Sequence, residues 1–316
     1  MSFLRLIYWS AIIGGWSAFV GWLIAEILMG RWVHQSAMLA VLMASLVACF
    51  LGAGIAMVSG LLAFRWSMIL VRGGPGLLGG FVAGFLGSLV GNGLTYLMGS
   101  VGLILGWTIM GTAIGAVEGI VDQSVRKIRN GLIGGALGGL LGGLLFIPIS
   151  RVFGSPMSSR AFGFVILGMF IGLFIGLVQV ILKDAWLTVQ EGFRPGRQLI
   201  LGSKDVAMGT SEKSDLIFIA MGARGVEPIH LRIRKEKDGS FTLEDNQSRT
   251  GTMLNGERIA QPTTLTNGDV IQFGVNKVQF RETYRQATAG DSRRPRRDLS
   301  QATAAGPPPL PMGSRS

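Results

Sequence analysis

Long apolar stretches fill the first part of the chain, and short alternating runs fill the second. Six stretches, about 3–29, 37–62, 76–98, 101–121, 131–149 and 161–182, are mainly apolar, each close to the ~20 residues that cross ~30 Å of hydrocarbon as a helix. Past residue 182 the run from Lys183 to Glu191 meets no helix breaker before Gly192 and Pro195. The sixth helix is therefore expected to continue as a stiff stalk, making 183–196 a helical linker with Trp186 near the headgroups. Residues 197–284 change period. Runs such as 198–201, 230–234, 241–243, 270–273 and 278–281 alternate apolar and polar positions between turn signals, which is the pattern of a β-sandwich. Residues 285–316 have few apolar anchors and are expected to be disordered.

Glycine follows the same division, with 36 of the 48 glycines in residues 1–196. In the fourth stretch Gly106, Gly111, Gly115 and Gly119 repeat the 5-4-4 spacing of Gly163, Gly168, Gly172 and Gly176 in the sixth. The third and fifth share a similar arrangement (Gly76, Gly79, Gly80 against Gly131, Gly134, Gly135). A period of about 55–57 residues is one two-helix hairpin. Glycine at every fourth position lines one face of a helix, and in lipid close backbone approach must replace the hydrophobic force that joins helices in water. The fifth stretch carries two such rows, Gly134, Gly138, Gly142 and Gly135, Gly139, Gly143, so it is expected to pack tightly against two neighbours.

Charged residues make up only 15% of the chain, against ~25% in an ordinary soluble domain. The net charge of +11 divides into +6 for 1–196, +1 for 197–283 and +4 for the tail. A near-neutral second domain offers no electrostatic footprint for nucleic acid. With the N-terminus inside, the inner segments carry Arg5, Arg65, Arg72, Arg126, Lys127, Arg129, Lys183, Arg194 and Arg197. The outer ones carry only Arg31, Arg151 and Arg160. Excess Lys and Arg mark the cytoplasmic side, so both termini are expected there, in a bacterial inner membrane. In the tail, Arg293, Arg294, Arg296 and Arg297 could lie on anionic headgroups, and the run 307–311 favours polyproline II.

Candidate chemistry is sparse. The single cysteine, Cys49, excludes an internal disulfide, and two histidines argue against a histidine-built metal centre. An intramembrane carboxylate is a functional hypothesis by default, which singles out Glu118. Its place in the last turn of the fourth helix, near Asp122, Arg126 and Lys127, instead suggests that it reaches the interface. Asn92 reads as a lone interhelical hydrogen-bonding group and Glu26 as lying near the outer surface. No nucleophile–base pair, metal-ligand spacing or phosphate loop is visible. The chain is read as a non-enzyme with no cofactor and no metal.

Within 197–284, Asp238-Gly239 and Asn255-Gly256 suit tight hairpins. In order along the chain come Gly209 with Asp215, His230, Ser248 with Gly251-Thr252, Asn255-Gly256, Gly268-Asp269 and Phe273-Gly274. In order and spacing, over about 85 residues, this series resembles the forkhead-associated (FHA) domain, a phosphothreonine-recognising β-sandwich. The whole arrangement resembles multi-pass bacterial proteins whose glycine-rich hairpins precede such a domain. The resemblance implies recognition loops containing Thr210, Ser211, Arg224, Glu227, His230, Ser248, Arg249, Thr250 and Asn255, with His230 bracing them. It also shows departures. The family's phosphate-binding Arg is Thr210 here, its phosphate-bonding Ser is Glu227, and its peptide-contacting Asn is Thr250. Arg249, with Arg224, is a candidate substitute cation. A phosphothreonine carries ≈ −1.5 to −2 charge, so losing the Arg and gaining a carboxylate both work against it.

The reading is a six-helix glycine-rich transmembrane bundle followed by an all-β FHA-like sandwich and a disordered tail. Its function is membrane-anchored interaction and signalling, with phosphothreonine binding weakened or lost. Its partners would be the bilayer and a cytoplasmic protein, a phosphoprotein among the candidates, and an oligomer is compatible with the pattern. The alternative is a channel or transporter formed by the glycine-rich hairpins and regulated by the FHA-like domain.

Overall fold

A computed structural model describes residues 3–32, 36–63, 66–152, 155–202, 205–236 and 238–283. Arg65 and the basic and proline-rich segments of the tail lie outside the described residues. The helices are α1 (Phe3–Met29), α2 (Ala37–Ala63), α3 (Trp66–Met98), α4 (Ser100–Val121), α5 (Val125–Val152) and α6 (Pro156–Ile181). All six are long and apolar enough to cross a membrane.

Three of them begin well before the apolar stretch that marks them. α3 takes in Arg72 and Pro75, and α5 takes in Arg126, Lys127 and Arg129. Proline inside a helix is tolerated where neighbouring helices and side chains satisfy the freed backbone groups, and charged residues do not end a helix at the interface. α6 opens on a cap. Ser155 Oγ accepts from the Ser158 N–H at 3.4 Å, with Pro156 in the first turn, where its missing N–H costs nothing.

Each helix packs on its sequence neighbours and α6 closes back onto α1, while α2, α4 and α6 also touch one another. The even helices therefore form the inside of the bundle and the odd ones the outside. α2 is the most buried span and α3 the least. Between hairpins, glycine meets glycine. Gly52 faces Gly76 and Gly80 across α2 and α3, and Gly111 and Gly115 face Gly131, Gly135 and Gly139 across α4 and α5. Gly168 and Gly172 face Gly14 across α6 and α1. The row of Gly134, Gly138 and Gly142 on α5 turns to α6. There Gly134 lies on Ile175, Gly142 on Leu167, and a Cβ on Gly138 would come 2.5 Å from Ile171 Cα. Gly119 abuts Ile128, and Gly176 abuts Ser10 and Ile7.

The centre is one apolar cluster. Trp107, Met110 and Ile114 of α4 answer Phe164, Leu167 and Ile171 of α6 at an offset of 57 residues, with Val47, Leu51 and Ile55 of α2 in the same cluster. One turn further, the same offset pairs Glu118 with Ile175. Glu118 thus occupies a core position and is only 7% exposed, contrary to the expectation that it reaches the interface. It accepts from Gln179 Nε2 at 2.7 Å and pairs with Lys127 Nζ at 3.3 Å. Lys127 also meets Asp122 at 2.6 Å, and Asp122 meets Arg72 at 2.9 Å.

One smaller expectation also changes. Asn92 donates to the Ser88 carbonyl of its own helix at 2.9 Å, not to a neighbouring one. Glu26 pairs with Arg160 at 2.6 Å, a residue likewise expected on the outer side.

The helical stalk does not form. α6 ends at Ile181 and residues Ala185–Glu191 are strand β1. The absence of a breaker misled, and the period decides. Ala185, Leu187 and Val189 are buried while their neighbours are not, an alternation of two that a strand satisfies and a helix cannot. β1 lies between β2 (Gln198–Leu201) and β11 (Asn276–Glu282), in a sheet ordered β2-β1-β11-β10-β7-β8. The remaining members of that sheet are β7 (Thr252–Leu254), β8 (Glu257–Arg258) and β10 (Val270–Phe273). The facing sheet runs β4-β3-β5-β6-β9. It is built from β3 (Val206–Gly209), β4 (Leu216–Ile217), β5 (Leu231–Lys235), β6 (Phe241–Asp245) and β9 (Thr263–Leu265). Between them lies a core containing Leu187, Met208, Phe218, Leu231, Leu243, Phe273 and Phe280.

The sandwich sits directly on the bundle. Asp184 pairs with Arg126 of α5 and with Lys235 of β5, the latter at 3.1 Å. The Phe3 N–H donates to Gln198 Oε1 at 3.2 Å, and the Phe3 ring meets Trp186 edge-on at 6.1 Å. Lys183 Nζ lies 4.5 Å from the Phe3 ring centre and 4.6 Å from that of Trp186. Trp186 therefore faces another part of the protein.

Candidate functional site

The orientation of the sandwich places the recognition loops. Lys235, at one end of β5, touches the bundle through Asp184, and His230 precedes the other end. Five steps of ~3.3 Å put His230 about 16 Å along the strand from Lys235 and its contact with the bundle. β6 runs back beside it, with Phe241 opposite Lys235 and Asp245 opposite Leu231. The loops around Thr210, Glu227 and Arg249 therefore gather at the end of the sandwich away from the bundle.

His230 is fully buried at the base of these loops. Its Nδ1 accepts from the Glu227 N–H at 3.2 Å, and its Nε2 lies 3.3 Å from the Gly251 carbonyl, so one ring ties two loops together. Burial lowers its pKa, outweighing the Gly251 carbonyl and the Asp245 and Glu227 carboxylates. Gly209 has the carbonyls of Pro228 and Glu227 where a Cβ would be, which leaves room only for glycine. The next two N–H groups continue the contact, Thr210 to the Glu227 carbonyl at 3.1 Å and Ser211 to that of Pro228 at 3.0 Å.

Ser248 is held by Asp245, which accepts from its N–H at 2.9 Å and from its Oγ at 2.7 Å, and from Thr252 Oγ1 at 2.5 Å. Burial would raise the Asp245 pKa, but these hydrogen bonds from Thr252 and Ser248, with His230 nearby, hold it below the ordinary value. Thr250 Oγ1 donates to the Gly225 carbonyl at 2.7 Å, linking the loop before His230 to the one after β6. Across the same gap, Arg249 Nε stands 3.8 Å from Glu227 Oε1, with its side chain 92% exposed. The candidate substitute cation thus faces the Glu227 carboxylate. Arg224 lies exposed beside Gly225.

Asn255 is turned to other work. It sits at φ 53°, donates to Asp269 Oδ1 at 2.8 Å and accepts from the Val270 N–H at 2.9 Å, so its amide is used within the fold. Two residues escape a motif reading. Asp245, the clamp on Ser248 and Thr252, lies upstream of the motif that it organises. Arg258 lies with its guanidinium against Gly251. The Asn255-Gly256 hairpin does carry a signal for Arg258, because a two-residue turn sets it opposite Met253, next to Thr252. Among the described residues no group of three or more His, Cys, Asp or Glu side chains could hold a metal ion.

Residues 206–274 match the family model of the FHA domain, and the sandwich is an FHA domain, a protein-interaction module and not a catalytic one. No curated protein matches the chain. Solved structures similar to the sandwich include one from a structural and functional analysis of phosphothreonine-dependent FHA domain interactions. It is 25% identical, covering 33% of this chain and all of that one, with a TM-score of 0.29. The FHA domain of FhaA, complexed with the intracellular domain of Rv3910, is 26% identical over 31% of this chain and all of its own, with a TM-score of 0.28. The FHA domain of CT664 from Chlamydia trachomatis is 21% identical over 32% of this chain and all of its own, with a TM-score of 0.30.

Proposed function

We propose that this chain is a membrane-anchored interaction adaptor whose FHA domain presents its loops to a cytoplasmic protein partner, with phosphothreonine recognition weakened or lost. The observation that carries this reading is the Glu227–Arg249 pair at 3.8 Å. The cation best placed to receive a phosphate already faces a carboxylate, and Thr210 stands where the resemblance implies an arginine. Charge-assisted hydrogen bonds are worth ≈ 1.5–3 kcal/mol each, so two lost contacts would weaken a micromolar interaction to about millimolar. Retained features such as His230, Gly209 and Asn255 all have structural work to do, and keeping them does not require a phosphate ligand.

For the bundle, the same proposal is an anchor. Its centre is filled by large apolar side chains from Val47 to Ile171, which supports packing over conduction through one copy. Cytoplasmic termini follow from the Lys and Arg gathered at the sandwich end, among them Arg72, Arg126 and Lys127. Calorimetry on the full chain in detergent with a degenerate phosphothreonine peptide library tests the recognition claim. Little or no phosphate-dependent heat is expected, and Thr210→Arg with Glu227→Ser should raise phosphate-dependent affinity by about tenfold or more. Micromolar, phosphate-dependent binding by the unaltered chain would overturn it.

A further inference from the structure

Where the six helices end beneath β2, they line a half-open cavity of about 340 Å³ that reaches from the edge strand of the sandwich down to Gly172. Its size is that of small-molecule sites. Its depth is apolar, with Leu6, Ile55, Val58 and Ile175 on the wall, and residues Gln198–Leu201 of β2 form its roof. Around its waist stand Arg72, Glu118, Asp122, Lys127 and Gln179.

The charges of this collar are answered among themselves. Arg72 meets Asp122 at 2.9 Å, and Lys127 meets Asp122 at 2.6 Å and Glu118 at 3.3 Å. The rest of the wall carries as many cations as carboxylates, Arg126 with Asp184 among them, so the lining as a whole has no net charge to attract an anion or a metal ion. A second observation points to a ligand. Asn130, also on the wall, is 4% exposed, and its Oδ1 is a buried acceptor with no hydrogen-bond partner among the described residues. Buried polar atoms normally find one.

From an apolar depth, a charge-balanced collar, an orphan acceptor and a position at the end of six candidate membrane helices, we infer that this cavity binds a single-chain amphiphile with a net-neutral, hydrogen-bond-donating head. The chain enters among Leu6, Ile55 and Ile175, and the head stays at the collar within reach of Asn130. Since β2 roofs the site, an occupant touches the FHA domain and the bundle together. The inference is independent of whether the recognition loops bind phosphothreonine.

The test is native mass spectrometry and thermal unfolding of the purified full chain, titrated with lysophosphatidylethanolamine and, in parallel, with anionic lysophosphatidylglycerol. A one-to-one adduct is expected, at least tenfold tighter for the neutral head. Filling the depth with Ile55→Trp should weaken it at least tenfold. Val58→Trp serves the same purpose, and if neither variant folds, the head-group comparison on the unaltered chain decides. No adduct, equal affinity for the two heads, or unchanged binding to a folded filled variant would overturn the inference.

Discussion

Leu187 lies opposite Phe280 in the antiparallel ladder of β1 and β11, and both side chains are buried in the sandwich core. The strand that emerges from the bundle is thus an interior strand of the FHA domain, with β2 on its other edge. A fragment of residues 197–284 lacks it. Such a fragment loses three buried side chains, Ala185, Leu187 and Val189, the larger two worth ~1.5–3 kcal/mol each, and exposes two ladder edges. It should be unfolded or aggregated by circular dichroism, whereas 184–284 should melt cooperatively. Equal stability of the two would show β1 to be dispensable.

The same pairing shows what could be read in advance. The six spans were legible because ~20 apolar residues have few other fates. The two glycine rows on α5 were legible because four-residue spacing defines a helix face whatever lies opposite. Residues 185–191 were not, because Trp186, Leu187, Thr188 and Val189 make an apolar run compatible with either helix or strand. Only the alternation of burial against β2 and β11 resolves it. In the loops, Gly209, His230 and Ser248 stand out through the resemblance to the FHA series. Asp245 and Arg258 do not, because their roles depend on contacts brought together by folding. The burial of Glu118 was hidden for a related reason: Asp122 and Lys127 show in the sequence, whereas its hydrogen bond to Gln179, 61 residues on, exists only once α4 and α6 pack.

Glycine at position 138 is set by backbone distance. Gly138→Leu would drive a side chain into Ile171 Cα and the Phe170 carbonyl, and overpacking against backbone costs ~1–3 kcal/mol or more. The yield of monodisperse protein and its unfolding temperature should both fall. Gly93→Leu is the control, since nothing lies within 4 Å of a Cβ there, and it should express and melt as the parent does. Equal behaviour of the two would mean that the α5–α6 contact is looser than described.

Acid should loosen the recognition end of the sandwich. The folded pKa of His230 lies below its ordinary 6.5 because burial penalises the cation. A depressed pKa contributes stability that is present above about pH 6.5 and is lost as pH falls through the folded value. Asp245, also depressed, has an ordinary value of 3.8, so its contribution is lost only in stronger acid. The unfolding temperature of the sandwich should therefore decline between about pH 7.5 and pH 5. His230→Asn should start lower and show a flatter profile, and an unchanged slope would place the titration elsewhere.

Lys127 is the residue on which the buried carboxylates depend. Its ammonium sits between Glu118 and Asp122 at 3.3 and 2.6 Å. Of the two, Asp122 keeps Arg72 if the lysine is removed, while among the described residues Glu118 keeps only the neutral amide of Gln179. Removing one member of a buried pair is costly chiefly because the other is left uncompensated, ~3–5 kcal/mol in the fully buried case. With a third of the Lys127 side chain accessible, about 2 kcal/mol is the expected loss for Lys127→Met after allowing for solvent screening. Adding Glu118→Gln should restore most of it, since a neutral amide at that position needs no counter-ion and can still meet Gln179. Thermal unfolding of the single and double variants measures this directly. If the double variant is no more stable than Lys127→Met alone, the lysine contributes by packing and not by charge.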